Sequence, residues 1–247
     1  MQNDKSSPEV PVTVPKDTAK KAADTTKKPV NPPVVRPPDP NQGKHINYLA
    51  LGDSYTIGES VAYEQNFPNQ LQAQLNVAGL VVNPPTIIAR TGWTTSELIS
   101  AIESSGVINK FNFVTLLIGV NNQYRGESQE TYRKEFRQLL QTAINYADKD
   151  KSHVFVISIP DWGVTPFARN SGKNQKAVAE EIDAFNAINK EETTILGVSY
   201  TDITPGSRLA LTDNTLTAPD GLHPSAKMYK NWVSLLVPEI TKSFKQN

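Results

Sequence analysis

Five short apolar runs, separated by stretches with helical spacing, restrict the fold of this chain more than any other feature. Strands that alternate with helices in this way form a parallel sheet with helices on both faces. We therefore predict a three-layer α/β/α sandwich, flavodoxin-like, around a five-stranded parallel sheet in the order 2-1-3-4-5. The runs predicted to be strands are residues 46–51, 86–89, 113–118, 154–159 and 198–203.

Prolines, a glycine and a capping pattern mark the ends of the predicted helices. Pro68 lies in the first turn of the first helix, and Gly79 ends it. The sequence Thr-Thr-Ser-Glu from residue 94 is a capping box at the start of the second helix. The last helix is predicted to begin at Pro224, and Pro238 is expected to kink it or end it.

Composition excludes several classes of partner and site. The 25 basic residues balance the 25 acidic ones, so no overall field attracts nucleic acid or an anionic membrane. The chain has no cysteine and only three histidines, which leaves no thiolate zinc site and little for a histidine-rich metal centre. No stretch approaches the roughly 20 apolar residues of a membrane span. We predict no metal, no cofactor, no nucleic acid partner and no integral membrane segment, while the oligomeric state stays open.

The first 43 residues differ in composition from the rest of the chain. They hold nine of the 18 prolines and no aromatic residue, so they bury too little apolar surface to offset the entropy of ordering. We predict a disordered tether at 1–43 and one domain at 44–247. The start lacks a signal-peptide pattern, so a signal or lipid anchor is either absent or already removed. A tail without a role and a spacer on an exported enzyme (periplasmic, surface-tethered or secreted) both remain open.

A serine stands at the end of the first predicted strand, where the apolar run stops abruptly at Gly-Asp-Ser, residues 52–54. A serine hydroxyl is a poor nucleophile until a base removes its proton. Asp220 precedes His223 by three residues, and Pro224 keeps the histidine out of helical geometry, so that the imidazole can project from a loop. Ser54 is therefore the candidate nucleophile and His223 the candidate base.

The first three predicted strands are neighbours in this strand order, and ligands bind at the carboxyl ends of such strands. Their exits are residues 52–54, 90–93 and 119–122. Each exit contains a glycine and a polar group, which allows backbone N–H groups to approach a substrate oxygen closely. We expect the active site at this edge of the sheet.

Four blocks occur in order along the chain: Gly-Asp-Ser, a glycine after the second strand, Gly-x-Asn after the third, and Asp-x-x-His before the last helix. Together they resemble the SGNH (GDSL-like) hydrolase family of serine esterases and lipases. The resemblance implies that Ser54 is the nucleophile and that His223 is the general base, oriented by Asp220. It also implies an oxyanion hole made by the Ser54 and Gly92 N–H groups and the Asn121 amide.

The resemblance covers about residues 46–240 and has one departure. The family's third block commonly reads Gly-x-Asn-Asp, whereas this chain has Asn122 in place of the aspartate. That aspartate is regarded as supporting the loop rather than doing the chemistry. We therefore expect Asn122 to replace it as a hydrogen-bond acceptor, and Asn122→Asp to be tolerated.

Several other polar and aromatic side chains lie near the predicted strand ends. Asp53 is predicted to hydrogen-bond loop backbone rather than to act as a base, and His45 and His153 are predicted to be structural. A further group is predicted to line the acyl or leaving-group pocket, with packing at its rim as the alternative; these residues are Trp93, Tyr124, Arg125 and Trp162. Asn122 is predicted to contact the substrate as well.

Three classes of function compete: a serine ester hydrolase, a flavodoxin-like binding module and a catalytically dead scaffold. The chain lacks the Gly-rich loop of a phosphate-binding module and retains all four polar blocks, which favours the hydrolase. Because no long insertion forms a lid, we expect an open cleft that favours short acyl groups, acetyl above all, on a leaving group such as a carbohydrate. Lysophospholipid, thioester and aryl-ester substrates remain open.

Overall fold

One parallel sheet lies at the centre of the computed structural model, which describes residues 45–245. The strand order is β2-β1-β3-β4-β5, which confirms the predicted sheet and its order. Each predicted strand is present within two residues of its expected ends. The tether predicted for residues 1–43 lies outside the described residues. The strands are β1 Tyr48–Gly52, β2 Thr86–Ala89, β3 Phe113–Leu117, β4 Val154–Ile157 and β5 Ser199–Thr201.

The central strands are buried along their whole length. Every residue of β1, β3 and β4 is buried, whereas the edge strand β2 keeps partly exposed positions. A parallel sheet with helices on both faces needs apolar side chains on both sides of each central strand. This need explains why the predicted strands are continuous apolar runs rather than alternating ones.

The α-helices of the described residues pack in two groups. Helix α2 packs against α9, and α5 packs against both α3 and α7. The connection from β1 to β2 runs in one direction along the sheet, and the connections from β2 onward to β5 run in the other. Because crossovers between parallel strands are right-handed, α2 lies on one face of the sheet and α3, α5 and α7 lie on the other. The helices are α1 Ser54–Ile57, α2 Phe67–Val77, α3 Thr95–Ser104, α4 Val120–Tyr124, α5 Gln129–Tyr146, α6 Pro166–Asn170, α7 Gln175–Leu196, α8 Thr204–Ser207 and α9 Ala226–Lys245.

The last helix begins later than predicted and continues past Pro238. Pro224 forms an antiparallel bridge with Thr217, and α9 begins only at Ala226. Pro238 does not end α9, which continues to Lys245. Trp232, Leu236 and Ile240 of this helix are all buried, so the apolar face continues past the proline, and its burial offsets the one backbone hydrogen bond that proline removes.

The carboxyl ends of the first three strands lie level with one another. Gly52 at the end of β1 pairs with Ala89 of β2 on one side and with Leu117 of β3 on the other. The chain segments that follow these three residues therefore meet at one edge of the sheet, where the sequence predicted the active site. Within residues 45–245, no helix is both long and apolar enough to cross a membrane.

Candidate active site

Ser54 is the first residue of α1 and follows β1 after a single residue, Asp53. The Asp53 Oδ1 atom accepts a hydrogen bond of 3.0 Å from the Tyr55 N–H and so caps the helix. This contact confirms the prediction that Asp53 bonds loop backbone. Burial raises the pKa of Asp53 to about 7, against the lowering effect of the Tyr55 N–H. The buried Asp53 carboxyl thus caps the short helix α1, which places Ser54 at the carboxyl end of β1.

His223 is held by Asp220 through a hydrogen bond of 2.6 Å between Nδ1 and Oδ2. Asp220 also accepts hydrogen bonds from the backbone N–H groups of Leu222 and His223 and from the Ser60 hydroxyl. Burial opposes ionisation of Asp220, but the Ser60 and His223 hydrogen bonds outweigh it and lower the pKa to about 2. A carboxylate at neutral pH therefore orients the imidazole.

Ser54 and His223 line the same cavity. Within residues 45–245, no hydrogen bond joins the Ser54 hydroxyl to the imidazole. Hydrogen bonds between a nucleophile and its base are often long in the absence of substrate and shorten when it binds. The arrangement therefore brings the predicted nucleophile, base and carboxylate to one place.

Gly92 lies in the loop after β2 with a φ of +85°, a left-handed conformation that glycine adopts without strain. Among the described residues, neither the Gly92 N–H nor the Ser54 N–H has a hydrogen-bond partner. Asn121, in α4, also lines the cavity, and its Nδ2 donates a hydrogen bond of 2.9 Å to the Trp93 carbonyl. One of the two amide hydrogens of Asn121 is thus engaged with the loop, and the other stays available to a ligand.

Asn122 lies outside the cavity and is completely buried. Its Oδ1 accepts a hydrogen bond from the Thr95 N–H, as predicted for an acceptor that supports the loop. Its Nδ2 donates to the Thr95 hydroxyl and to Glu127, both at 2.7 Å. Both amide hydrogens and the amide oxygen of Asn122 are therefore engaged within the protein. The structure thus corrects the prediction that Asn122 contacts substrate: it joins α4 to the start of α3.

Arg125 also contacts the loop rather than the cavity. Its guanidinium donates a hydrogen bond of 2.6 Å to the Gly92 carbonyl and forms an ion pair of 3.3 Å with Glu97. Trp93 likewise is not among the residues that line the cavity. The loop that carries Gly92 is therefore held in place by three side chains in and next to α4: Asn121, Asn122 and Arg125.

The cavity that contains Ser54 has a volume of about 220 Å³ and is open to solvent. Of the predicted substrate contacts, Tyr124 and Trp162 line it. The Trp162 indole N–H donates to Gln123, which leaves the ring face as an apolar wall. Phe167 of α6 also lines the cavity and was not predicted, because a helix of five residues is too short to show a periodic apolar pattern. The apolar and aromatic lining residues are Tyr55, Val120, Tyr124, Trp162, Phe167 and Leu222.

The other two histidines lie away from this cavity. The His45 Nδ1 is 3.1 Å from the Asn83 side chain, and the His153 Nδ1 is 3.2 Å from Asp150. Within residues 45–245, no group of three histidine or carboxylate side chains is placed to hold a metal ion. The site therefore offers a serine, an imidazole–carboxylate pair and backbone donors, which are the groups that acyl transfer uses.

Several solved structures share this fold. TesA is 17% identical with a TM-score of 0.62, and the match covers 80% of this chain and 99% of that chain. A lipase/acylhydrolase from Enterococcus faecalis is 20% identical with a TM-score of 0.61, over 80% and 96% of the two chains. The acetylxylan esterase Axe2 from Geobacillus stearothermophilus is 16% identical with a TM-score of 0.62, over 79% and 94%. At these identities the likeness concerns the fold.

No protein of curated function matches the chain in sequence. The model of one protein family matches residues 50–230, which is most of the chain and includes Ser54, Asp220 and His223. The fold, the glycine-aspartate-serine turn and this match agree with one another. The chain belongs to the GDSL-like lipase/acylhydrolase family.

Proposed function

We propose that this protein hydrolyses carboxylic esters with Ser54 as nucleophile, His223 as general base and Asp220 as the carboxylate that orients the imidazole. His223 Nε2 takes the hydroxyl proton of Ser54 as its oxygen attacks the acyl carbon. The resulting imidazolium then protonates the leaving alkoxide, and an acyl-enzyme remains on Ser54. Water, deprotonated by His223, releases the acid in the second half of the reaction.

The oxyanion of each tetrahedral intermediate is proposed to lie against the N–H groups of Ser54 and Gly92 and the Asn121 amide. Two observations support this proposal. Neither backbone N–H group has a hydrogen-bond partner among the described residues, and both follow strands whose carboxyl ends lie level with each other. Donors that are fixed before the reaction stabilise developing charge without reorganising. The contacts of α4 with the loop around Gly92 supply this fixation.

One observation carries the proposal: the imidazole that Asp220 holds at 2.6 Å shares a cavity with Ser54. We expect Ser54→Ala to abolish ester hydrolysis without lowering the melting temperature. Ser100→Ala, in an exposed turn of α3, is the matched control and should retain full activity. A fluorophosphonate should label Ser54 in the folded protein and not after heat denaturation. Substantial activity in the Ser54→Ala variant would refute the nucleophile assignment.

For the substrate, we propose a short acyl group, acetyl first, on a larger leaving group such as an acetylated carbohydrate. The cavity is open to solvent, which leaves room for a bulky alcohol, and the structurally similar Axe2 is an acetylxylan esterase. An enzyme on an N-terminal tether, exported to act on a polymer, fits the same proposal.

A second candidate is an ester or thioester with a longer apolar acyl chain. This candidate is favoured by the apolar lining of the cavity and by the cavity volume of about 220 Å³, which is far larger than the volume of an acetyl methyl group. Lysophospholipid and aryl-ester substrates would use the same lining. Measuring kcat/KM over p-nitrophenyl esters from two to ten carbons, and over acetylated xylo-oligosaccharides, separates the two. A value that rises with chain length beyond four carbons would reject the acetyl proposal.

A further inference from the structure

We infer that Ser60 is a positioning residue of this site: its hydroxyl holds the Asp220 carboxylate in place relative to Ser54 and so keeps the His223 imidazole aligned. The inference rests on the proposed function and adds to it a residue outside the four family blocks. The Ser60 Oγ donates a hydrogen bond of 2.7 Å to Asp220 Oδ2, the same oxygen that binds His223 Nδ1 at 2.6 Å.

Asp220 has four hydrogen-bond donors, and Ser60 differs from the other three. The Leu222 N–H at 2.9 Å, the His223 N–H at 3.0 Å and the His223 imidazole all belong to the segment that carries Asp220 itself. These three contacts fix the carboxylate only within its own loop. Ser60 is the one donor among the described residues that connects Asp220 to another part of the chain.

That other part of the chain is the segment of the nucleophile. The Ser54 carbonyl accepts hydrogen bonds from the N–H groups of Gly58 at 3.0 Å and of Glu59 at 3.1 Å. The turn that ends in Ser60 is therefore fastened to Ser54 itself. On its other side, the Glu59 carboxylate accepts a hydrogen bond from the Thr91 hydroxyl, next to Gly92. Ser60 thus connects the His223–Asp220 pair to the segment that carries the proposed nucleophile, Ser54.

The backbone at Ser60 supports a specific role for its side chain. Its φ is +65°, in the left-handed region that glycine adopts easily and that residues with a Cβ seldom adopt. Glycine would adopt this backbone conformation with less strain, so the serine at this position supplies a hydroxyl at an energetic cost. Strain of this kind clusters at functional sites, and here the strained residue donates directly to Asp220.

Ser60→Gly removes the hydroxyl and the strain together. We expect kcat to fall by about tenfold, the factor that one partly exposed hydrogen bond to a carboxylate supplies. KM and the melting temperature should stay near the wild-type values, because Ser60 does not line the cavity and glycine fits the backbone. Lys149→Gly is the matched control. Lys149 also has a positive φ, +69°, but lies before β4 at the opposite edge of the sheet, so its kcat should not change.

A second pair of variants tests the donor itself. Asparagine and aspartate have nearly the same shape, and both tolerate the left-handed conformation. Ser60→Asn keeps a donor near Asp220 and should retain most of kcat, whereas Ser60→Asp replaces it with a like charge and should lose at least as much as Ser60→Gly. This pair decides the question if the glycine variant fails to fold.

Three results would overturn the inference: full kcat in Ser60→Gly, equal kcat in Ser60→Asn and Ser60→Asp, or a loss of kcat that only follows a loss of melting temperature. Ser54→Ala is assayed in parallel. Activity surviving there would overturn the proposed function itself, whereas an inactive Ser54→Ala beside a fully active Ser60→Gly would overturn the role of Ser60 alone.

Discussion

Asn122→Asp restores the common family residue, yet the structure predicts that it destabilises this protein. Sequence alone favours tolerance, because aspartate keeps the acceptor for the Thr95 N–H. The Asn122 Nδ2, however, donates to the Glu127 carboxylate at 2.7 Å and to the Thr95 hydroxyl, whose own hydrogen is donated to Glu135. An aspartate oxygen in the place of Nδ2 would find no hydrogen-bond donor there and would lie next to the Glu127 carboxylate.

The cost follows from these contacts. A hydrogen bond to a charged group contributes about 1.5–3 kcal/mol, and a like charge at hydrogen-bond distance adds to its loss. Partial exposure of Glu127 moderates the repulsion. We expect a loss of about 3 kcal/mol in the free energy of unfolding at pH 7, or roughly 6–12 °C in Tm for a domain of this size.

A double-mutant cycle with Glu127→Gln measures the cost by thermal and urea unfolding. Glutamine removes the like charge, so Asn122→Asp should cost at least 1 kcal/mol less in that background. The repulsion raises the pKa of the new aspartate in the folded state, so its cost is largest above about pH 6 and shrinks as pH falls toward 4. Asn122→Ala serves as the uncharged control. An Asn122→Asp variant as stable as the wild type at pH 7 would refute this account of the contacts.

Three further predictions concern neighbouring features. Asn121→Ala removes a proposed oxyanion donor, so kcat should fall roughly 100-fold to 1,000-fold at nearly constant KM; a greater loss of rate in Asn122→Ala at equal stability would mean that the wrong asparagine is assigned. Asp53 has a folded-state pKa of about 7 against an ordinary value of 3.8, so its ionisation lowers stability as pH rises from 4 to 7; Asp53→Asn should therefore raise Tm relative to the wild type more at pH 8 than at pH 4. Removal of residues 1–42 should leave kcat and Tm unchanged, because their composition offers little apolar surface for docking, and a large drop in either would refute the tether.

The longer strands and helices, and their caps, were predictable from the sequence. The positions of the five strands follow from the continuous apolar runs, the sheet has the order expected for a flavodoxin-like fold, and the capping box at Thr94 is present as expected. The elements that carry the proposed chemistry were not predictable as helices. Helices α1 and α4 have four and five residues, which is too short for the spacing of apolar positions to repeat. The motifs located Ser54 and Asn121 where periodicity could not.

Contacts between distant segments were the part of the site that sequence could not supply. Arg125 was expected in a substrate pocket, but its partners are the Gly92 carbonyl and Glu97. Ser60 carries no motif, and its contact with Asp220 spans 160 positions of the chain. Such pairs depend on how loops meet after the sheet has formed, and a single sequence contains no signal for that.

The common level of Gly52, Ala89 and Leu117 determines where this protein tolerates changes of length. Ser54, Gly92 and Asn121 lie two, three and four residues beyond that level. One residue inserted in any of the three strands would shift its end by about 3.3 Å and reverse the orientation of its side chains. The segment after β4 contributes Trp162 and Phe167 to the cavity wall but none of the three proposed oxyanion donors, and its residues 169–174 are exposed. Changes of length at 169–174 are therefore expected to be tolerated, whereas the three short exits must keep their count.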